Sequence, residues 1–254
     1  MSYTGCIPLI SDYCSWLHHS VQKPTIRILE IGVDTGQTTI PLIHNLIHDK
    51  VKFHWTGVDI RPDYLVATQL SLMKGVHLVN AGKPFIDDVY IGEADYITAN
   101  SRGFLHHYIK DSNSDMFDVV LIDGDHNYDT VAEELSYLNS LTHNMSLVIC
   151  DDYGGKHAGK DNFYSNKETH ANLKHVSNDL DTGLDKGGVT KAVDEFIAKS
   201  KNWKLQRPFK EFGDDPDPAI MYCDLRWSSE PREDDTTQLT DYTWEWTFGK
   251  GTRS

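Results

Sequence analysis

Apolar residues recur along this chain in two alternating rhythms. Short unbroken runs stopped by glycine or acid read as buried strands, and stretches with apolar positions three and four apart read as helices. TIRILEIG (25–32) is the first such run, and Ile40, Ile43 and Ile47 then predict a helix over 38–48. KFHWTGVDI (52–60) is a second strand, after which Pro62 opens a helix carrying Leu65, Leu70 and Met73 that Gly75 closes. VHLVNAG (76–82) leaves an extra strand open, and KPFIDDVYIGE (83–93) reads as a loop. ADYITAN (94–100) resumes strand character, with a helix over 102–109 behind it. FDVVLIDGDHNYDTVAEEL (117–135) is a strand running into a helix marked by Val131, Leu135 and Leu138, and SLVICDDYGG (146–155) is a further strand.

Residues 153–187 are polar without a sustained period, and a loop of that length is a functional lid or a disordered insertion. Val189, Ala192, Val193, Phe196 and Ile197 mark an amphipathic helix. WKLQRPFKEF (203–212) and AIMYCDLRW (219–227) read as two last strands joined by the acidic link GDDPDP, an edge hairpin. Strand–helix alternation argues for an α/β fold, a parallel sheet with helices on both faces. The organisation expected is an N-terminal helical or irregular segment (1–24), a main domain (25–227) with the lid-like insertion at about 153–187, and an acidic, then aromatic tail (228–254).

Charge narrows the function classes. Lysine plus arginine (24) against aspartate plus glutamate (38) leaves −14, which repels nucleic acid and anionic membranes in the absence of a basic patch. No run is long enough to span a bilayer, and MSYTGCIPLISDYCSW lacks the basic and apolar regions of a leader. Cys6, Cys14, Cys150 and Cys223 form no CxxC pair, so free thiols in a reduced cytoplasm are expected. A Cys6–Cys14 bridge has nothing else to support it.

In a sheet of this kind ligands sit beyond the carboxyl ends of the strands. The first strand ends in EIGVDTGQTT, which offers Glu30, Gly32, Gly36 and Thr38. The glycines suit a tight turn close to a ligand, or an ordinary strand–helix turn. Asp34 stands where a dinucleotide motif has its second glycine, so a cofactor with a positive group fits better than a pyrophosphate. Asp59 ends the second strand, where a carboxylate accepts ribose hydroxyls or caps a helix. Asn100 and Ser101 come at the end of the next strand, placed for an adenine edge or for capping.

Asp123 ends the strand after that, and Asp151-Asp152 the one beyond. If these strands are neighbours, about 4.8 Å apart, three carboxylates converge. Their all-oxygen chemistry favours Mg²⁺, with Mn²⁺ or Ca²⁺ open, unless Asp125 and Asp152 merely cap the next helix or turn. His126 is placed to act as a general base, to stack on a cofactor ring or to be a spectator.

ILEIGVDTGQTT, GVDI, FDVVLIDGDHNYDTVAEEL, LVICDDYGG and GVTKAVDEF together resemble class I S-adenosylmethionine-dependent methyltransferases over roughly residues 25–225. The branch they are most similar to holds the macrocin- and mycinamicin-type sugar O-methyltransferases and the cephalosporin-hydroxylase-like proteins, with catechol-type enzymes more distant. The resemblance implies a Rossmann-like seven-stranded sheet of order 3-2-1-4-5-7-6 with strand seven antiparallel. It implies S-adenosylmethionine as cofactor, lined by Glu30, Gly32, Gly36 and Thr38, with Asp59 on the ribose and Asn100 and Ser101 by the adenine. It puts the metal on Asp123, Asp151 and Asp152, gives His126 the part of base, and lets the lid select the substrate. Many relatives have Asp-Ser where this chain has Asn100-Ser101.

The expected function is therefore a metal-assisted O-methyltransferase acting on a small hydroxylated acceptor, a sugar or glycosylated metabolite. No nucleic-acid or membrane partner is expected, and a homo-oligomer is left open. The competing classes are a metal-independent or nitrogen-directed methyltransferase, an NAD-dependent oxidoreductase, and a non-catalytic cofactor-binding module.

Overall fold

The computed structural model describes residues 3–61, 63–79, 91–111, 115–161, 185–206 and 219–223. After a 3-10 turn at Tyr3–Cys6, the elements of the first half are α1 (Ile7–His19), β1 (Ile26–Ile31), α2 (Thr39–His48), β2 (Phe53–Asp59), α3 (Tyr64–Leu72), β3 (Val76–Leu78), β4 (Gly92–Thr98) and α4 (Ser101–Tyr108). The second half holds β5 (Phe117–Ile122), α5 (Tyr128–Ser136), α6 (Leu138–Leu141), β6 (Thr142–Cys150), α7 (Gly188–Lys199), β7 (Trp203–Gln206) and β8 (Ala219–Cys223). Pro62, most of the loop expected over 83–93, the core of the insertion, the acidic link, the outer ends of the last two strands and the tail lie outside the described residues.

One eight-stranded sheet runs β3-β4-β2-β1-β5-β6-β8-β7. Pairs from β3 to β6 are parallel, and β8 runs antiparallel to both of its neighbours. Without β3, the order is the expected 3-2-1-4-5-7-6 with its antiparallel strand. The difference is the eighth strand: Val76–Leu78 adds to the edge of β4, with Val76 and Leu78 buried and His77 not. Three residues are too short a run to be read with assurance from alternation alone.

The central strands are apolar nearly throughout because helices cover both faces. One core layer joins α1, α2 and α3 to the sheet through residues such as Ile10, Leu42, Trp55 and Leu70. The other joins α4, α5, α6 and α7 through Leu105, Leu135, Leu141 and Val193. All four cysteines are buried free thiols, Cys6 and Cys14 in the first layer and Cys150 and Cys223 in the second. Local chemistry sets the helix starts. Asp63 caps α3 by accepting from the Leu65 and Val66 amides (2.7 and 3.1 Å), and Asn100 caps α4 by accepting from the Gly103 amide at 3.2 Å. Among the described residues, no helix is long and apolar enough to cross a membrane.

Within the apolar β5 run, Asp118 is fully buried. Its Oδ2 accepts the Arg27 amide at 2.8 Å, while Lys23 Nζ and His143 Nε2 lie 2.5 and 2.8 Å from Oδ1. Burial alone would push this carboxyl up, but the bonds from His143, the Arg27 amide and Lys23 hold it below the ordinary aspartate range. A depressed folded value means stability that is present above the ordinary aspartate pKa and lost as pH falls through the folded one. Asp118→Asn is therefore expected to cost about 2 kcal/mol near neutral pH and progressively less in acid. Urea unfolding at both pH values checks this; a cost that does not shrink in acid would mean that charge is not what Asp118 contributes.

Candidate active site

Strand register brings the carboxyl-end residues together. Ile31 of β1 pairs with Ile122 of β5, and Ile122 with Cys150 of β6, so Gly32, Asp123 and Asp151 are the next residues on three adjacent strands. The Asp123 amide donates to the Ile31 carbonyl (2.8 Å) and the Asp151 amide to the Ile122 carbonyl (3.0 Å), which extends the ladder to those positions. Gly32, at φ +83°, lies so close to β5 that a Cβ would stand 2.0 Å from the Asp123 carbonyl oxygen. Only glycine permits that approach.

The turn after β1 is held by Asp59 at the tip of β2. Its Oδ2 accepts the Val33 and Asp34 amides (3.0 and 2.9 Å), and Oδ1 accepts the Arg61 amide (2.9 Å). Asp34 adopts φ +43°, a conformation aspartate tolerates better than most residues, and its Oδ1 pairs with Arg61 Nη2 at 2.8 Å. Gly36 also has positive φ, at +75°, and Thr38 is buried at the start of α2.

Glu30 is buried beneath this turn, its Oε2 accepting from Thr39 Oγ1 and Trp55 Nε1, both at 2.8 Å. Burial pushes its carboxyl up to about 8, against the opposing pull of these two bonds. Asn100 spends its side-chain oxygen on the α4 cap, and Ser101 donates to Glu134 Oε1 at 2.5 Å. Glu134 is itself buried and raised to about 8 by that burial.

A group of side chains that could hold a metal ion stands at these strand tips. Ligand atoms of Asp123, His126 and Asp151 all lie within 4.8 Å of one another, the one such group among the described residues. Asp152, at φ +55°, is not one of the three but bonds Nδ1 of His126, whose Nε2 is 3.2 Å from Asp123 Oδ1. Asp123 and Asp151, two of the three residues expected at a metal, thus stand in one group with His126, and Asp152 lies on the other side of the ring. Burial disfavours a charged His126, but the bonds to Asp123 and Asp152 prevail and push it up to about 10. Each of its ring nitrogens thus faces a carboxylate. Burial first, and then the charge of Asp123, push Asp151 up. Asp125 binds Asn127 Nδ2 (2.5 Å) and Thr130 Oγ1 (2.6 Å), so it braces the turn into α5.

Residues 29–153, from within β1 to just past the paired aspartates, match the family model of a methyltransferase domain. That stretch is similar to a methyltransferase domain. No curated protein matches it. Among solved structures, MycE methyltransferase from the mycinamycin biosynthetic pathway, in complex with Mg and SAH, is similar at 14% identity and TM-score 0.47, over 90% of this chain and 50% of that one. The calicheamicin methyltransferase CalS11 is similar at 11% identity and TM-score 0.49, over 85% and 77%. An O-methyltransferase from Bacillus cereus in complex with SAH is similar at 14% and 0.45, over 85% and 81%. The chain spans half the length of the MycE chain.

Several partners in this domain carry no signal in the sequence. Trp55, Thr39, Glu134 and Arg61 are not among the site residues that the sequence singles out. Each is joined to its site residue by packing rather than by spacing.

Glu30 generates a pH prediction. Between the ordinary glutamate range and about 8 the folded chain keeps a proton at Glu30 that the unfolded chain has released. Stability therefore falls as pH rises through that window and is level below it. Glu30→Gln, which keeps an acceptor for Trp55, should make that fall shallower, though Glu134 contributes a similar slope. Urea midpoints measured across the window decide it: a slope as steep as that of the unaltered chain would show Glu30 ionised in the fold.

Proposed function

We propose that this chain transfers a methyl group from S-adenosylmethionine to a hydroxyl oxygen of a small acceptor, a sugar or glycosylated metabolite, with a divalent cation at the site. The observation that carries this reading is the meeting of Asp123 and Asp151, each one residue beyond its strand, with His126 from the turn before α5, next to a Gly32 that has no side chain to fill the space. When bound, the cofactor supplies a methyl carbon on a positively charged sulfur, and the cation supplies a Lewis acid that lowers the pKa of an acceptor hydroxyl.

The residues have separable parts. Gly32 lets a ligand approach the strand tips, and Asp59 fixes the turn that would cradle the cofactor, with one oxygen shared by two amides. Asp123, Asp151 and Nε2 of His126 would hold the cation, and Asp152 on Nδ1 fixes the ring, an arrangement that metal-binding histidines use widely. A nitrogen in the donor set suits Mn²⁺ or another transition ion as well as Mg²⁺. Glu30, neutral over much of the physiological range, supports the turn without adding charge beneath it.

A metal-independent transfer is the second reading, favoured by the place of His126 between Asp123 and Asp152, whose charge a protonated ring would offset. Labelled S-adenosylmethionine and a panel of hydroxylated acceptors, with and without chelator, separate the two: chelation should abolish transfer, and undiminished transfer would leave only the second reading. Asp151→Asn is expected to lower turnover at least about 10²-fold with cofactor binding nearly unchanged. Asp59→Ala is expected to weaken cofactor binding about 10- to 100-fold without altering metal affinity. Equal loss of both affinities in either variant would undo this division of the site.

A further inference from the structure

Helix α5 begins two residues after His126, yet its start is not capped by the residue standing there. Asn127 makes no side-chain capping bond, its Nδ2 donating to Asp125 Oδ1 instead. The Tyr128 amide donates to Oδ1 of Asp161, a residue from the far side of β6, at 2.6 Å. The other Asp161 oxygen accepts the Lys186 amide. The Asp161 amide in turn donates to Asp185 Oδ1 at 3.0 Å, an oxygen that also accepts the Gly187 amide at 2.9 Å.

Residues 161 and 185, which bracket the undescribed stretch 162–184, are therefore fastened side by side, and the fastening rests on the first turn of α5. Neighbouring contacts tighten it. Lys186 Nζ reaches Asp129 Oδ2 at 2.5 Å. Gly188, at φ +54°, lies where a Cβ would stand 2.0 Å from the Lys160 carbonyl oxygen, so the two backbones touch. Gly159 donates its amide to Thr190 Oγ1 at 2.8 Å, and that hydroxyl donates to the Tyr153 carbonyl at 2.6 Å.

We propose that Asp161 is a positioning residue for the His126 site, capping α5 from outside and tying the setting of the Asp123–His126 turn to the backbone at Asp185 and Lys186. The first amides of a helix have no partner within it, and a carboxylate there also meets the positive end of the helix dipole. A cap on the adjoining residue would fix the helix start locally. A cap lent by another segment makes that start depend on where the other segment is held. His126 is two positions from the capped amide, and an error of about 1 Å at a reacting centre costs on the order of 10²-fold in rate.

This inference rests on the methyl-transfer reading for its effect on rate, but the capping can be read without it. Three variants of the full chain are needed: Asp161→Ala, which removes both acceptor oxygens; Asp161→Asn, which keeps one; and Asp185→Ala, which opens the same fastening and spares the Tyr128 bond. Hydrogen exchange at the Tyr128 amide and the ring nitrogen signals of His126 report on the cap directly; kcat and KM report on its consequence.

Asp161→Ala is expected to speed exchange at Tyr128 by roughly 5-fold or more, to shift the His126 signals, and to lower kcat about 10-fold or more with KM for S-adenosylmethionine within about twofold. Asp161→Asn should show the same changes in smaller size, and it carries the test if the alanine variant does not fold. Asp185→Ala, which loosens the hold on Asp161 but keeps both of its oxygens, should shift the Tyr128 and His126 signals less than Asp161→Ala and lower kcat by a smaller factor. Unchanged signals in both Asp161 variants would overturn the proposal, as would equal losses of kcat in Asp161→Ala and Asp185→Ala. Altered signals in a chain that methylates no acceptor would uphold the cap and count against the methyl-transfer reading alone.

Discussion

Buried carboxylates on neighbouring strands repel one another and lose their hydration, so they persist only where positive charge or protons share the space. In this chain the sheet register forces that situation: Asp123 and Asp151 come straight after paired residues, and Asp152 is next in the chain. His126 resolves it by standing between Asp123 and Asp152 with a bond to each. The turn carrying His126, the braces from Asp125 and Asp161, and the bare glycine opposite are all arranged around that meeting of charges.

The same β5 strand carries the contrasting case at its other end. Asp118 is more deeply buried than Asp123, yet its partners are fixed protein groups: one backbone amide, one lysine and one histidine. That carboxyl is driven down and ties the amino ends of three elements together. Asp151, by contrast, is driven up by its burial and its acidic neighbour. Two aspartates of similar burial thus differ in whether the fold itself completes their surroundings, and the incomplete set lies on the side of the sheet where ligands are bound in this fold class.

Much of this was legible in the sequence because it depends on local pattern. Strand runs ending in acid, the glycine turn after Glu30 and the adjacency of the Asp123 and Asp151 strands come from periodicity and family order. What escaped depends on packing at a distance. Nothing in Asp151-Asp152 says that the second residue takes a left-handed conformation and bonds an imidazole. Ser101 reads equally as a ligand contact or a cap, and the structure gives its hydroxyl to Glu134 while Asn100 does the capping. The edge strand Val76–Leu78 is too brief to declare itself.

The four cysteines give the chain internal reporters. Alkylation requires a thiolate, and burial pushes the Cys6 thiol up to about 12 and those of Cys14 and Cys150 higher still. Labelling must then wait for local opening of the fold. Because Cys6 and Cys14 belong to the layer under α1 and α2, and Cys150 and Cys223 to the layer under α5 and α7, the order in which they are modified would reveal which half of the sandwich loosens first.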